Sequence, residues 1–385
     1  MPHDTDSRLS PTPVLTPEIL IDWSDARQAI AAKTKPLGAL GRLEDVAVRL
    51  AVLQRTLEPR IDRARVCVFG ADHGVAEEGV SAYPRAVTGE MMRNFDRGGA
   101  AINVIGFAND VEIEVIDVGV DADLSSLTRI RHEKVRRGSR NFSREPAMSV
   151  DELNAALLVG KSAAQRAAAD GVRALGLGEM GIGNTTSAAA ILSAFSGESS
   201  AVTAGRGTGV DGNAYARKCV VVDRAVRLHL DAVNDSGRGE EILRRLGGLE
   251  LAAMAGAARE AATHGIAVVA DGFISTVAVL CALNMFGEAD ARDICPLRAA
   301  LFFAHRSSER GHRLALEMCG SSTECDARPL LDLDMRLGEG TGAALAIPLL
   351  RAAAAVMRDM ATFSSASVSA GRQSAAHAAP RSSIE

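Results

Sequence analysis

Residues 171–195 read GVRALGLGEMGIGNTTSAAAILSAF. A short apolar run ends near Gly178, a glycine-rich turn follows, and a small-residue helical pattern begins at Asn184. Strand, tight turn and helix in immediate succession make one βα unit. Gly176, Gly178, Gly181 and Gly183 permit close approach of backbone or ligand, and free N–H groups at a helix start favour an anion. Asn184, Thr185 and Thr186 add polar groups at that start. The stretch also fits G-x-G-x-x-G, with Glu198 at roughly the distance of a ribose-binding acid. Glu198 falls in SGESSA rather than at the end of a second strand, so a dinucleotide site is the weaker reading.

The same form recurs on both sides. ARVCVFGADHGV (64–75), DVEIEVIDVGVD (110–121), HGIAVVADGFISTVAVLCAL (264–283) and LRAALFFAHRSSERGH (297–312) each run from an apolar strand into polar residues. Short strands alternating with helices predict a Rossmann-like parallel α/β sheet flanked by helices, with ligands at the C-terminal strand edge. Before these units, residues 16–59 hold two helical patterns split by TKPLGALG, with Leu43, Val46, Ala47, Leu50 and Leu53 as a buried stripe. After them, TGAALAIPLLRAAAAVMRDMATF (341–363) reads as one apolar helix that Pro348 should loosen. The expected organisation is a disordered lead (1–16), a small helical domain (17–60 plus 343–363), a large α/β catalytic domain (61–342) and a Ser/Ala-rich disordered tail (364–385).

Composition narrows the function. The 385 residues carry a net charge of -5, which argues against nucleic acid as a partner. The opening residues lack the apolar run of a secretory signal, and no stretch of about 20 uninterrupted apolar residues appears, so a cytoplasmic protein without a membrane span is expected. Aromatics are 3% of the chain, so the core must come from Ala, Val, Leu and Ile. Cys67, Cys219, Cys281, Cys295, Cys319 and Cys325 form no C-x-x-C pair, so reduced thiols are expected rather than zinc.

Several motifs carry candidate chemistry. Asp72 and His73 follow a strand, but no G-x-S-x-G elbow supplies a hydrolase nucleophile. The two histidines of HRSSERGH lack carboxylate ligands at useful spacing, which favours hydrogen-bonding roles over a metal. VVVDRAV (220–226) lacks the second acid of a diphosphate-binding motif. AGRGTGVDGNAYARK (204–218) is a second glycine-rich loop, and its Lys218 suits a phosphate. In RLGEGTGAALAIPLL (336–350), Glu339 stands between Gly338 and Gly340. A carboxylate in such a collar is open to a planar ligand, and desolvation would raise its pKa into the range of a usable base. Asp332 and Asp334 could join Glu339 around Mg²⁺ or serve as caps.

TKPLGALGRLE, FGADHGV, VSAYP, GGAAINV, GEMGIGNTT, GRGTGVD, VDRAV, LGGLELAAMAGA, DGFISTVA, HRSSERGH and LLDLDMRLGEGTGAALAIPLL occur in that order. Together, over about residues 17 to 363, they resemble the nicotinate-nucleotide:dimethylbenzimidazole phosphoribosyltransferase family. The resemblance implies transfer of phosphoribose from nicotinate mononucleotide to 5,6-dimethylbenzimidazole. The products are nicotinate and α-ribazole 5′-phosphate, for the lower-ligand nucleotide loop of cobalamin. It also implies no metal or other cofactor and a homodimer, with GGAAINVIGF or the terminal helices as interface. Glu339 becomes the general base and Glu179 a second acid. Carried over for the donor are Gly181, Gly183, Asn184, Thr185, Gly205, Gly207, Lys218, Asp271 and Ser307, with Gly338 and Gly340 as bare backbone. Carried over for the base are Ser81, Tyr83, Glu90, Met180 and Leu337. Glu90 stands where the family pattern has Gln, which leaves the preferred acceptor base open.

Overall fold

The structure is a computed structural model that describes residues 21–369 apart from 208, 210, 231–237, 286–290 and 321–325. The lead expected over 1–16 and the tail from 370 onward lie outside the described residues. The six strands described are β1 (Ala64–Ala71), β2 (Glu112–Gly119), β3 (Ile130–His132), β4 (Ala174–Met180), β5 (Ala267–Ala270) and β6 (Leu301–Phe303). All pair in parallel, in the order β3-β2-β1-β4-β5-β6. Val68 of β1 stands beside Val115 on one side and Gly178 on the other. The expected Rossmann-like parallel sheet is therefore present. Its strand order reverses between β1 and β4, and a sheet of this kind opens its ligand crevice at that point. β1 is buried along its whole length, as a strand covered on both faces must be.

One face is covered by α5 (Val150–Ala169), α6 (Asn184–Ser196), α8 (Gly212–Leu230), α9 (Arg238–Leu246), α10 (Leu249–Thr263), α11 (Phe273–Leu283) and α13 (His312–Cys319), with α7 (Ser200–Thr203) beside α6 and α8 and α12 (Ala291–Ala300) beside α10 and α11. Small residues set how closely these helices approach. Gly160 of α5 lies on the Ala253 backbone of α10, and Gly256 of α10 lies on the Leu157 backbone of α5. A methyl group at either glycine would collide with the facing carbonyl. The aromatic-poor composition is thus matched by helices packed nearly backbone to backbone.

The other face is covered by α1 (Trp23–Ala31), α2 (Arg42–Leu53), α3 (Ala86–Arg97), α4 (Ala101–Ala108) and α14 (Thr341–Asp359). α1, α2 and α14, from the N- and C-terminal segments, share one buried cluster with Val66, Val68 and Val269 of the sheet. Thr34 N–H donates to Ala361 at 2.9 Å and Lys33 Nζ to the Met360 carbonyl at 2.8 Å, tying the two segments together. α14 is long and apolar enough to cross a membrane, but more than half of it is buried against the sheet and α2. It runs through Pro348 as one helix. Beyond it, residues 362–368 continue as hydrogen-bonded turns.

Candidate active site

Glu179 is the penultimate residue of β4 and so projects at the switch point. Gly183, at φ 101°, turns the chain into α6, whose first residue, Asn184, donates from Nδ2 to Glu179 Oε2. Glu179 is buried, and burial pushes its pKa up to about 8. Asp271 and Glu250 push the same way, while the Asn184 bond opposes them.

Glu339 arrives from the far end of the chain. Gly338, Glu339 and Gly340 all have left-handed backbone, at φ 88°, 63° and 85°. For a residue with a side chain that conformation costs about 1 kcal/mol. Glu339 Oε2 accepts the Ile102 N–H of the first turn of α4 at 3.3 Å. Burial raises the Glu339 pKa, the Ile102 bond opposes the shift, and Asp271 adds to it. Asp271, just past β5, supports the same loop. Its Oδ2 accepts Gly340 N–H at 3.3 Å and its Oδ1 accepts Ala343 N–H at 3.0 Å. The carboxylate caps α14 from another strand and so sets where the Glu339 loop stands.

The glycine collar has a different use from the one expected. Gly340 packs on Val66 and on Gly178 of β4, and Gly178 in turn lies against the Glu339 carbonyl. A Cβ on either would force loop and strand apart. Gly340 therefore serves close approach of protein to protein rather than of ligand. Gly338 faces Glu179 and does border the cavity.

That cavity, ≈ 570 Å³, opens at the C-terminal strand edge. Glu179, Glu339 and Asp271 line it, as do Gly181, Asn184, Thr185, Gly207, Ser307 and Gly338. Met180, Tyr83 and Leu337 supply apolar surface, the last two half-exposed at the mouth. Six of the expected positions fall outside the lining. Gly183 packs on His73 and Val75, Gly205 on Glu309, and Gly340 as described. Ser81 accepts Tyr83 N–H at 3.2 Å and shapes the turn before α3. Glu90 is exposed on α3, where Val87 and Met91 face the cavity instead. Lys218 is fully buried behind the wall and donates from Nζ to Thr185 Oγ1 at 2.9 Å. Burial lowers its pKa to about 8, against the pull of Glu309.

Phe273, Ile274, Glu309 and Arg336 also line it and were not singled out in sequence, while His305 and Asp334, both weighed there, line it too. Val87 and Met91 are four apart, a helical spacing that marks one face, so the sequence held a signal for them. Glu309 and Arg336 carried none, because each sits in a polar turn among similar residues. The histidines are tied into the scaffold. His73 Nε2 meets Glu250 Oε1 at 2.6 Å in full burial beneath Gly181. His312 Nδ1 accepts Ser307 N–H at 2.9 Å, and burial drives its pKa down to about 3, so it is neutral. Asp332 pairs with Arg306. Among the described residues no His, Cys, Asp or Glu side chains gather in a group that could hold a metal ion.

Comparison with known proteins gives a consistent picture. A phosphoribosyltransferase family model matches residues 23–368. Nicotinate-nucleotide–dimethylbenzimidazole phosphoribosyltransferase of Pseudomonas aeruginosa is 47% identical over 338 residues, covering 87% of this chain and 91% of that one. The enzyme of the same name from Xanthomonas euvesicatoria is 47% identical over 351 residues, covering 90% and 96%. The crystal structure of CobT from Thermus thermophilus superposes with a TM-score of 0.82 at 46% identity, covering 91% of this chain and 99% of that one. With the fold, the ordered motifs and these full-length relatives in agreement, the chain belongs to the nicotinate-nucleotide–dimethylbenzimidazole phosphoribosyltransferase family.

Proposed function

We propose that this enzyme transfers the phosphoribosyl group of nicotinate mononucleotide to 5,6-dimethylbenzimidazole or a related base, giving α-ribazole 5′-phosphate and nicotinate. The observation that carries the proposal is the pair of buried acids, Glu179 and Glu339, in the wall of one cavity at the switch point. A ring nitrogen of the base attacks C1′ of the donor. The bond from C1′ to the pyridinium nitrogen breaks, and its electron pair leaves with neutral-ringed nicotinate. The proton on the other ring nitrogen of the base passes to Glu339, whose ionised carboxylate is held by Ile102 N–H. Attack from the face opposite the leaving group inverts C1′. Negative charge from this acid cluster favours the positive charge that develops at C1′. The leaving group is already cationic, so neither an acid nor a cofactor is called for.

Apolar surface from Val87, Met91, Met180 and Leu337 suits the flat base, while Gly207, Thr185 and Ser307 suit the phosphate with Lys218 behind them. We place the reaction in the cytoplasm and the working unit as a homodimer, with the exposed side of α4 as the contact. Product analysis by HPLC tests the reaction: the protein is incubated with nicotinate mononucleotide and dimethylbenzimidazole, beside Glu339→Gln. Nicotinate and α-ribazole phosphate should appear together, with turnover about 100- to 10,000-fold lower in the variant. No product with any benzimidazole or purine would sink the assignment and leave a nucleotide-binding protein on this fold.

A further inference from the structure

Besides cations, the end of the cavity suited to phosphate contains a carboxylate. Glu309 lines it next to Ser307 and Gly207, on the turn between β6 and α13, and is 9% exposed. Its carboxylate accepts Gly207 N–H, and its own N–H donates to Ser307 Oγ at 3.3 Å. Oε2 lies against Gly205 and has no hydrogen-bond partner among the described residues. Lys218, fully buried behind Thr185, feels the charge of Glu309 from beyond direct ion-pair distance, and its Nζ lies beneath Gly207, whose N–H the Glu309 carboxylate accepts. A buried ammonium needs such an anion.

A nucleotide 5′-phosphate is a dianion above pH of about 6. Seated on Gly207, Thr185 and Ser307, it would bring a second anion to Lys218. Like charges this close do not both stay ionised, and a protonated carboxyl turns from a rival acceptor into a donor. We infer that Glu309 is the counter-ion of Lys218 until the donor binds, and takes up a proton from solvent as the phosphate replaces it. The inference rests on the phosphoribosyl-transfer reading. The other charges around Glu309 are Arg336 and Asp334 in the same lining and the exposed Arg206 and Arg310 on the flanking turns. Burial raises the Glu309 pKa while Lys218, the Gly207 bond and Arg336 oppose it, and His312 stays neutral.

Calorimetry reads the proton directly. Nicotinate mononucleotide alone is titrated into the full chain at about pH 7.5, where its phosphate is a dianion, in buffers of different ionisation enthalpy. The slope of heat against buffer enthalpy should give uptake of about one proton per donor for the wild type. It should be near zero for wild type with nicotinate riboside, which lacks the phosphate, and difference infrared spectra should show a protonated-carboxyl C=O band appearing when the donor binds wild type and missing in Glu309→Gln. Proton uptake by the wild type without that carboxyl band assigns the proton to Lys218 and overturns the inference. Equal uptake with the riboside overturns it too, without recourse to any variant. Product formation by HPLC with no proton uptake defeats this inference alone, whereas neither binding nor product defeats the proposed function with it.

Discussion

Glu179 is held by contradictory forces. Burial and the neighbouring Asp271 and Glu250 favour its neutral form, while Asn184 donates to it as to an anion. Its folded pKa of about 8 lies above the ordinary value of 4.5. The stability this contributes is complete below 4.5 and is lost as pH rises through about 8. Thermal unfolding of the wild type should therefore weaken across that window, and Glu179→Gln should flatten the slope. Parallel curves for the two proteins would show that Glu179 titrates normally. The glycine collar drew Glu339 out of the sequence, whereas Glu179 entered only through the resemblance of GEMGIGNTT to the family pattern. It could not expose Lys218 as a buried residue, since burial depends on Thr185 and Glu309, 33 positions before and in a turn far beyond it. Nor could it reveal that Gly340 meets Gly178, a contact between a strand and a loop that only the folded sheet brings together.

At the scale of elements, the site is a loop suspended between helix termini. The Glu339 carboxylate meets the start of α4, and Asp271 meets the start of α14. Asp271→Ala removes a helix cap with two N–H partners and should lower stability by about 1–2 kcal/mol in denaturant unfolding. It should also reduce kcat more than donor affinity, because the loop that moves carries Glu339. A variant with wild-type kcat would mean that Gly178 and Val66 alone hold the loop. The helices and strands were legible from their periods, since apolar runs of strand length alternate with helical patterns. Legibility faded at α3, where Glu90 and Met91 are adjacent in sequence yet one is exposed and the other lines the cavity. One position of rotation, about 100° on a helix, separates solvent from cavity there.

For the whole molecule, α4 links the interior to the surface. Its first turn holds Glu339, while Val104 and Phe107 stand out at 61% and 90% exposure. If this side is the dimer contact, Phe107→Asp should sediment as a monomer at concentrations where the wild type is a dimer. An unchanged sedimentation coefficient would move the contact elsewhere. The doubly wound order could be anticipated from alternating units, but the tie between residues 33–34 and 360–361 could not, because it joins segments more than 300 positions apart without any shared motif. That tie bears on how the chain is made. A ribosome releases α1 and α2 first and α14 last, yet these three cover the same face of the sheet. Until α14 emerges, Val66, Val68 and Val269 lack part of their cover and the Glu339 loop lacks the helix start through which Asp271 anchors it. A nascent chain is thus sticky and inert until α14 has been made, and the appearance of activity reports that translation has passed that helix.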